Sequence, residues 1–395
     1  MIRPIASSRL ERHTVSGAAR PSLVINAAVM ATVSTVLPGF LIGAMSVQVS
    51  AEMDVSEAVY GWGLGSFFGA AMVGSIMLGR LAQRIGPLNQ MTLALAVSIG
   101  VQLALAATAR SFSAVVAFLV VAGLANAANQ TSVNLALVQA QLPRLGLAVS
   151  IKQSGLPTAT LLAGFSVPSL ALTVGWRWAY VASAVFALMS LLLVRAAVGS
   201  TVLRTEPHAS APESSPRDLL LAAAVGAFLA FSAGSLNAWG VGSGVDAGLG
   251  PGAAGLFLSV GAATGISLRL LSGWLSDTMR APPFRVGGIS ALLGSVGMAG
   301  LALRSPTAHV AAMLLSFGAG WIWPVFTNYG IVRANPRAAG AATGVTQMGV
   351  YVGVFAGPLV TGWLIEHSGY PAMWLAVAAS AVAGGAVSIR IADRF

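Results

Sequence analysis

The sequence predicts an all-α membrane protein whose twelve transmembrane helices form two pseudo-symmetric six-helix bundles. Two observations carry this prediction: an apolar composition and a repeat that relates the two halves of the chain. Of 395 residues, 56% are hydrophobic and 8% are charged, and the mean hydropathy is +0.82. Soluble domains carry about 25% charged residues. A surface with this composition must therefore face lipid.

Twelve stretches of the chain are long and apolar enough to cross a bilayer, which takes about 20 residues in a helix. A polar, proline-rich segment over 199–217 separates the sixth stretch from the seventh. We therefore expect an N-terminal bundle over 1–198, a cytoplasmic linker over 199–217 and a C-terminal bundle over 218–395. The predicted spans are 24–48, 57–79, 88–109, 112–140, 146–171, 176–197, 218–243, 252–275, 284–303, 307–332, 339–365 and 370–391.

The distribution of the basic residues predicts the orientation. If the N-terminus is cytoplasmic, sixteen arginines fall at the cytoplasmic ends of the spans, and only Arg110, Arg177 and Arg304 fall at the other side. Because cytoplasmic loops are enriched in Lys and Arg, this places both termini in the cytoplasm of a bacterial-type inner membrane. The arginines lie singly in short gaps rather than in a patch, which argues against a nucleic-acid partner.

The two halves match each other at a constant offset of 194 residues, without gaps. An even number of spans in each half predicts repeats related by an axis along the membrane normal. The matched pairs include Gly79 with Gly273, Asn134 with Asn328, and Gln153 with Gln347.

The loop after the second span carries Gly79-Arg80-Leu81-Ala82-Gln83-Arg84-Ile85-Gly86, and its repeat is Gly273-Trp274-Leu275-Ser276-Asp277. With the two six-span halves, these motifs resemble the major facilitator superfamily over essentially the whole chain. The resemblance implies the major facilitator fold and a gating role for Gly79, Arg84, Gly273 and Asp277. Gln83 replaces the acid that the family carries, so Asp277 is the better candidate for the acid that helps hold one conformation. The alternative is that these residues only cap helices and form tight turns.

Two further segments resemble particular branches of that superfamily. Residues 150–157, with Gly175-Trp176 after them, look like the fifth helix of cyanate-transporter-like members. Residues 269–277 are similar to the eighth helix of oxalate/formate antiporters and monocarboxylate transporters. In those relatives the arginine engages a carboxylate, which implies a substrate-binding role for Arg269. The second cation of the oxalate/formate relatives would fall on Thr346 here, so the geometry of the site must differ.

Lys152 and Arg269 are cations inside predicted spans, and Lys152 is the only lysine of the chain. They lie roughly 9 and 12 Å from the cytoplasmic ends of their helices at 1.5 Å per residue. None of the eleven acids falls in the middle of a span, and a cation at a helix centre costs about 2.5–3.5 kcal/mol. Each cation therefore either snorkels to the cytoplasmic surface or binds an anion.

Polar residues at matching places complete the predicted substrate site: Gln153, Gln347, Asn134, Asn328 and Tyr351. Asn134 also belongs to a polar cluster with Asn126, Asn129 and Gln130, whose spacing places all four on one helical face. For this cluster, interhelical hydrogen bonding is favoured over substrate contact.

These observations favour a secondary transporter that moves a small organic anion, most simply a carboxylate, by alternating access. Protons or a counter-anion are the expected coupling partners, the lipid bilayer is the surroundings, and we expect a monomer. The alternatives are a drug-type exporter of neutral or hydrophobic compounds and a non-transporting membrane sensor.

Enzyme activity is not expected, because no nucleophile–base constellation is present. The chain has no cysteine, its four histidines lack ligand spacing, and no Gly-rich loop for nucleotide phosphates occurs. No cofactor or metal is therefore expected.

Overall fold

The computed structural model describes residues 21–139, 151–198, 211–276 and 280–395, and their regular structure is helical. The first half contains α1 (Pro21–Ala44), α2 (Ser46–Met53), α3 (Glu57–Ile85), α4 (Pro87–Thr108), α5 (Phe112–Gln139), α6 (Gly155–Ser166) and α7 (Arg177–Val198). The second half contains α8 (Pro216–Asp246), α9 (Pro251–Ser276), α10 (Pro283–Gly300), α11 (Pro306–Gly318), α12 (Trp323–Ala334) and α13 (Ala339–Arg390). Short turns complete it: a π-helical turn at Val167–Ala171 and 3₁₀ turns at Leu301–Leu303 and Ala392–Arg394.

Within the described ranges, nine helical stretches are long and apolar enough to cross a membrane when α11 and α12 are counted together as one, and the bent α3 makes a tenth. α3 bends by 56° between Ser75 and Met77. α13 holds two of the predicted spans, because Gly369 breaks it with a φ of 76°, a conformation that glycine adopts without steric cost. The all-α membrane architecture that the sequence predicted is confirmed, although most of the predicted linker, 199–210, lies outside the described residues.

The tenth predicted span, 307–332, is not one continuous helix. It divides into α11 and α12, with a non-helical segment from Ala319 to Ile322 between them. Pro324 lies in the first turn of the second helix, where its missing N–H costs nothing. An interrupted helix at membrane depth leaves backbone carbonyls that need other partners.

The turns that join the helices define two ends of the bundle. Asp54, Gly175, Gly248 and Gly369 lie in turns at one end, which we call the Asp54 end. Gly86 turns the chain at the opposite end, which we call the Gly86 end.

Ion pairs fasten neighbouring helices at the Asp54 end. Arg177 binds Glu52 at 2.7 Å, and the indole Nε1 of Trp176 donates to the same carboxylate at 2.6 Å. In the second half, Arg304 binds Asp246 at 3.0 Å. These contacts each join elements of the same half, so they hold the halves as units and leave other contacts to join one half to the other.

Glycines allow the two halves to touch closely toward the Asp54 end. A methyl group on Gly43 would lie 2.3 Å from the carbonyl oxygen of Asn237, and one on Gly61 would lie 2.4 Å from that of Pro358. Gly164 of α6 and Gly255 of α9 are equally close to each other's backbone. Small residues of this kind let membrane helices pack backbone to backbone. We call this contact between the halves the Asp54-end interface.

Hydrogen bonds between described residues also join the halves within this interface. Thr160 donates to the side-chain oxygen of Asn237 at 2.6 Å, and Ser259 donates to the carbonyl of Leu161 at 2.8 Å. The backbone N–H at the start of α3, on Ala58, donates to the Glu366 carboxylate at 3.1 Å. The halves are therefore in direct contact at the Asp54 end.

Replacing Gly349 with alanine should destabilise the second half. The added methyl group would lie 1.9 Å from the carbonyl oxygen of Ala223 in α8. Overpacking of this kind costs about 1–3 kcal/mol. We expect a lower midpoint of thermal unfolding for purified Gly349→Ala. Gly344→Ala, which meets no atom within 4 Å, should match or exceed the wild type, and equal midpoints for the two variants would contradict this packing.

The Glu52 contact should make stability depend on pH. Burial raises the pKa of Glu52, but the hydrogen bonds from Arg177 and Trp176 and the charges of Arg177 and Arg110 outweigh it, so the pKa lies below its ordinary value. A lowered folded-state pKa stabilises the protein above the unfolded pKa of about 4.3, and the stabilisation is lost as the pH falls through the folded pKa. Glu52→Gln should therefore lower the unfolding midpoint at neutral pH and converge with the wild type in acid. A constant difference between the two proteins at every pH would refute this role.

Candidate functional site

Lys152 lies in the helical turn that precedes α6, and its side chain is buried with 5% exposure. It forms no ion pair or hydrogen bond with any residue in the described ranges. Gly155, one turn further on the same face, packs against Thr32 of α1. The hydroxyl of Thr32 also lacks a hydrogen-bond partner among the described residues. The sequence-based alternative of a snorkelling lysine does not describe this buried side chain.

Arg269 of α9 is buried, with 2% exposure, and its guanidinium binds two backbone carbonyls. Nε and Nη2 both donate to the carbonyl oxygen of Trp321, at 2.8 and 2.6 Å, and Nη1 donates to that of Gln153 at 2.8 Å. The guanidinium carbon also lies 5.0 Å from the centre of the Trp321 ring, within range of a cation–π contact. The expectation that this cation lacks an internal partner was wrong, because backbone oxygens rather than acids serve it.

A proline and a helix break explain why both carbonyls are available. In a continuous helix the carbonyl of Gln153 would accept from the N–H of residue 157, but Pro157 has no N–H. Trp321 lies in the break between α11 and α12, Pro324 lacks an N–H, and the N–H of Val325 bonds to Ile322 instead. The sequence signal was present as a proline four residues after Gln153 and three after Trp321, but it was not connected with Arg269.

Arg269 joins the two halves, since Gln153 belongs to the first half and Trp321 to the second. Arg269 lies 18 residues after Pro251 at the start of α9, roughly 27 Å along the helix. Among the hydrogen bonds between the halves described above, its bond to Gln153 lies furthest toward the Gly86 end. The guanidinium is therefore at the inner edge of the Asp54-end interface.

The other predicted substrate residues differ in burial. Tyr351 is buried, Gln153, Gln347 and Asn328 are half-buried, and Asn134 is exposed. None of these five side chains forms a hydrogen bond within the described part of the chain. The role of these five residues in substrate binding stays a prediction.

The polar cluster of α5 forms hydrogen bonds between helices. Thr35 of α1 donates to Asn126 at 3.3 Å and accepts from Asn129 at 3.1 Å, and Gln130 donates to Asn126 at 3.4 Å. Asn126 and Asn129 are buried. These contacts agree with interhelical bonding for Asn126 and Asn129, whereas the bond of Gln130 stays within α5 and Asn134 does not take part.

The predicted gating residues lie near the Gly86 end. Arg84 is exposed in the last turn of α3, Gly79 is half-buried one turn earlier, and Gly273 is buried in α9. Asp277 lies outside the described residues. A gating role for these four positions stays a prediction.

Several buried side-chain polar groups outside the predicted substrate site lack a hydrogen-bond partner among the described residues. Trp323, at the start of α12, has an indole N–H without a partner among the described residues, and the Thr32 hydroxyl is in the same condition. Neither residue belongs to a sequence motif. Their burial and lack of partners result from helix packing, which the sequence alone does not reveal.

Comparisons with known proteins give the family. The model of the Major Facilitator Superfamily matches residues 23–358, and the chain belongs to that family. It is thus a membrane transporter and not an enzyme. No curated protein matches the chain.

A solved structure supports the same fold. It is a bacterial homolog of the human lysosomal transporter Spinster, in an inward-facing and unoccupied conformation. The TM-score is 0.66, with 14% sequence identity, over 95% of this chain and 96% of the other. At this identity the similarity establishes the fold alone.

Replacing Asn126 with alanine should weaken the contact between α1 and α5. Asn126 accepts hydrogen bonds from Thr35 and Gln130, and each such bond in a membrane protein is worth about 0.6 kcal/mol. We expect Asn126→Ala to lower the thermal unfolding midpoint. Asn134→Ala, on the same helix without these bonds, should unfold like the wild type. If Asn134→Ala is the less stable variant, our interpretation of the cluster is wrong.

Proposed function

We propose that this chain is a secondary active transporter of a small organic anion, most simply a carboxylate, which moves by alternating access. The observation that carries the proposal is Lys152, a buried lysine with no ion-pair or hydrogen-bond partner among the described residues. A charge buried in a membrane protein needs a partner or water. A bound anion would supply that partner.

The chemistry of the surroundings favours an anion over a cation. No acidic residue pairs with Lys152 or Arg269 in the described ranges. The acids that do form ion pairs there lie near helix ends or turns; they are Glu52, Asp218, Asp246 and Asp393. A cationic substrate would meet two like charges here and no compensating carboxylate. An anion would meet a lysine as a point charge and an arginine that can form a fork.

Neutral polar side chains complete the proposed substrate site. Gln153, Gln347, Asn328, Asn134 and Tyr351 carry side-chain polar atoms without partners in the described structure. Amides and hydroxyls of this kind suit the oxygen atoms of a carboxylate or of a hydroxyl next to it. We propose them as the groups that orient the substrate.

The proposal also covers the orientation of the transporter in the membrane, its oligomeric state and its coupling. Both termini and the Gly86 end face the cytoplasm of an inner membrane, which follows from the sixteen arginines on that side. The carrier works as a monomer coupled to protons or to a counter-anion. Opening of the Gly86 end, with Arg84 and Asp277 as gating residues, alternates with opening of the Asp54 end.

Flux measurements on reconstituted protein test the substrate class. Proteoliposomes should take up acetate or malonate and should not take up the lipophilic cation tetraphenylphosphonium. Lys152→Met should reduce carboxylate flux at least about tenfold, because a hydrogen bond to a charged group is worth about 1.5–3 kcal/mol. Lys152→Arg should retain part of the flux.

The matched control is Arg285→Ala, which removes an exposed cation paired with Asp393. It should leave the flux unchanged. Carboxylate flux that survives in Lys152→Met would sink the anion proposal. Uptake of tetraphenylphosphonium by the wild type, with none of the carboxylates, would favour the drug-type exporter instead.

A further inference from the structure

Arg269 contacts backbone from both halves at the boundary between them. Pro157 releases one of its acceptors, the Gln153 carbonyl, from helical bonding, and the other, the Trp321 carbonyl, lies in the break between α11 and α12. We infer that Arg269 senses the transported anion: a carboxylate that binds its guanidinium displaces the carbonyls of Gln153 and Trp321 and so releases the link between the halves. The inference rests on the proposed function, since it needs an anionic substrate. It adds a coupling between binding and conformational change.

The geometry of the guanidinium makes the competition direct. An arginine presents its Nε–H and one Nη–H as a side-on fork. Nε and Nη2 of Arg269 both point to the single carbonyl oxygen of Trp321, so that oxygen occupies this fork. Nη1 at the end of the guanidinium donates to Gln153. A carboxylate in the side-on fork replaces the Trp321 carbonyl, and one at the end of the guanidinium competes with the Gln153 carbonyl.

The carboxylate has the advantage in this exchange. Hydrogen bonds with an ionised donor and an ionised acceptor are shorter and stronger than those to a neutral acceptor. The carbonyls that Arg269 now binds are neutral. Lys152 is the residue next to Gln153 in the chain, so an anion attracted by Lys152 arrives beside one of the two acceptors.

The position of Arg269 connects this exchange to the motion of the halves. Its bond to Gln153 is at the inner edge of the Asp54-end interface. Glycines allow the helices of this interface to pack closely. The interface must separate for the Asp54 end to open. A bond at its inner edge opposes that separation, and loss of the bond favours it.

The expected consequence is that the carrier changes conformation readily only with a carboxylate bound. A ligand shifts a conformational equilibrium by its different affinity for the two states. Here the affinities differ because the anion binds the N–H groups of Arg269, which the state with a closed Asp54 end uses for its bond to the Gln153 carbonyl. Flux should therefore be strictly coupled to anion binding, with little movement of the carrier alone.

Spin-label distances can test this inference cleanly, because the chain contains no cysteine. Cysteines at Ser111 and Thr307, both exposed at the Asp54 end of opposite halves, allow one distance across the interface. Labels at Ser111 and Thr173, both in the first half, give a reference distance that should stay constant. Distances are measured in liposomes by double electron–electron resonance, with and without malonate, against chloride at equal ionic strength.

The decisive variant leaves Arg269 in place. Pro157→Ala supplies an N–H at residue 157, which can take the Gln153 carbonyl back into the helix. We expect this variant, without malonate, to shift toward the longer distance between Ser111 and Thr307. Arg269→Lys, which has no planar fork, should shift the same way. Pro38→Ala makes the same chemical change in α1 and should behave like the wild type.

The wild type should shift toward the longer distance on addition of malonate, and Pro157→Ala should respond less because it is already shifted. Unchanged distances in both Pro157→Ala and Arg269→Lys would overturn the link, while the flux result for Lys152 would still stand. Malonate that raises the thermal unfolding midpoint without changing the distance would overturn the sensing role. The absence of any carboxylate binding would overturn this inference together with the proposed function. If the distance changes only in Pro157→Ala and Arg269→Lys, and not in the wild type on addition of malonate, the link between the halves stands but the sensing role is overturned.

Discussion

Backbone carbonyls inside a membrane need a hydrogen-bond donor, and Arg269 meets this requirement for two helices at once. A carbonyl without a partner is costly in hydrocarbon, and so is a guanidinium without one. The two costs offset each other where Arg269 binds the carbonyls of Gln153 and Trp321. The interruption of the tenth span and the burial of a cation are therefore parts of one arrangement.

The two halves differ at the positions where the cations lie. The repeat mates of Lys152 and Arg269 are Thr346 and Ser75, and each of these hydroxyls bonds to a carbonyl of its own helix three residues earlier. Among the described residues, neither hydroxyl bonds to another helix. The cations differ from each other as well, because Arg269 reaches across the boundary and Lys152 has no bonded partner in the described structure. The repeat thus supplies a common scaffold on which each half carries one cation.

The sequence predicted the scaffold well and the contacts poorly, for a physical reason. Apolar runs of about 20 residues identify membrane helices because lipid permits little else, so the spans and the all-α fold were predictable. Cations at Lys152 and Arg269 were recognisable as costly and therefore notable. The partners of Arg269 were not, since a carbonyl occurs in every residue and only the packing shows which ones are free. Pro157 and Pro324 contained that information, but it becomes specific only when a donor from another helix is within reach.

Lysine and arginine differ in a way that suits the two positions. The ammonium group of lysine is compact and strongly hydrated, whereas the guanidinium is planar, weakly hydrated and matched to two acceptors at once. A lysine at the position of Lys152 can bind an anion in many orientations, because its ammonium group acts as a point charge. A cation that links helices benefits from fixed donor directions, which is what the bonds to Trp321 and Gln153 require. Exchanging the two residue types would therefore weaken both of the proposed roles while conserving the total charge. In the proposed mechanism, charge alone does not explain the site, because the geometry of the donors decides which cation attracts the anion and which one responds to it.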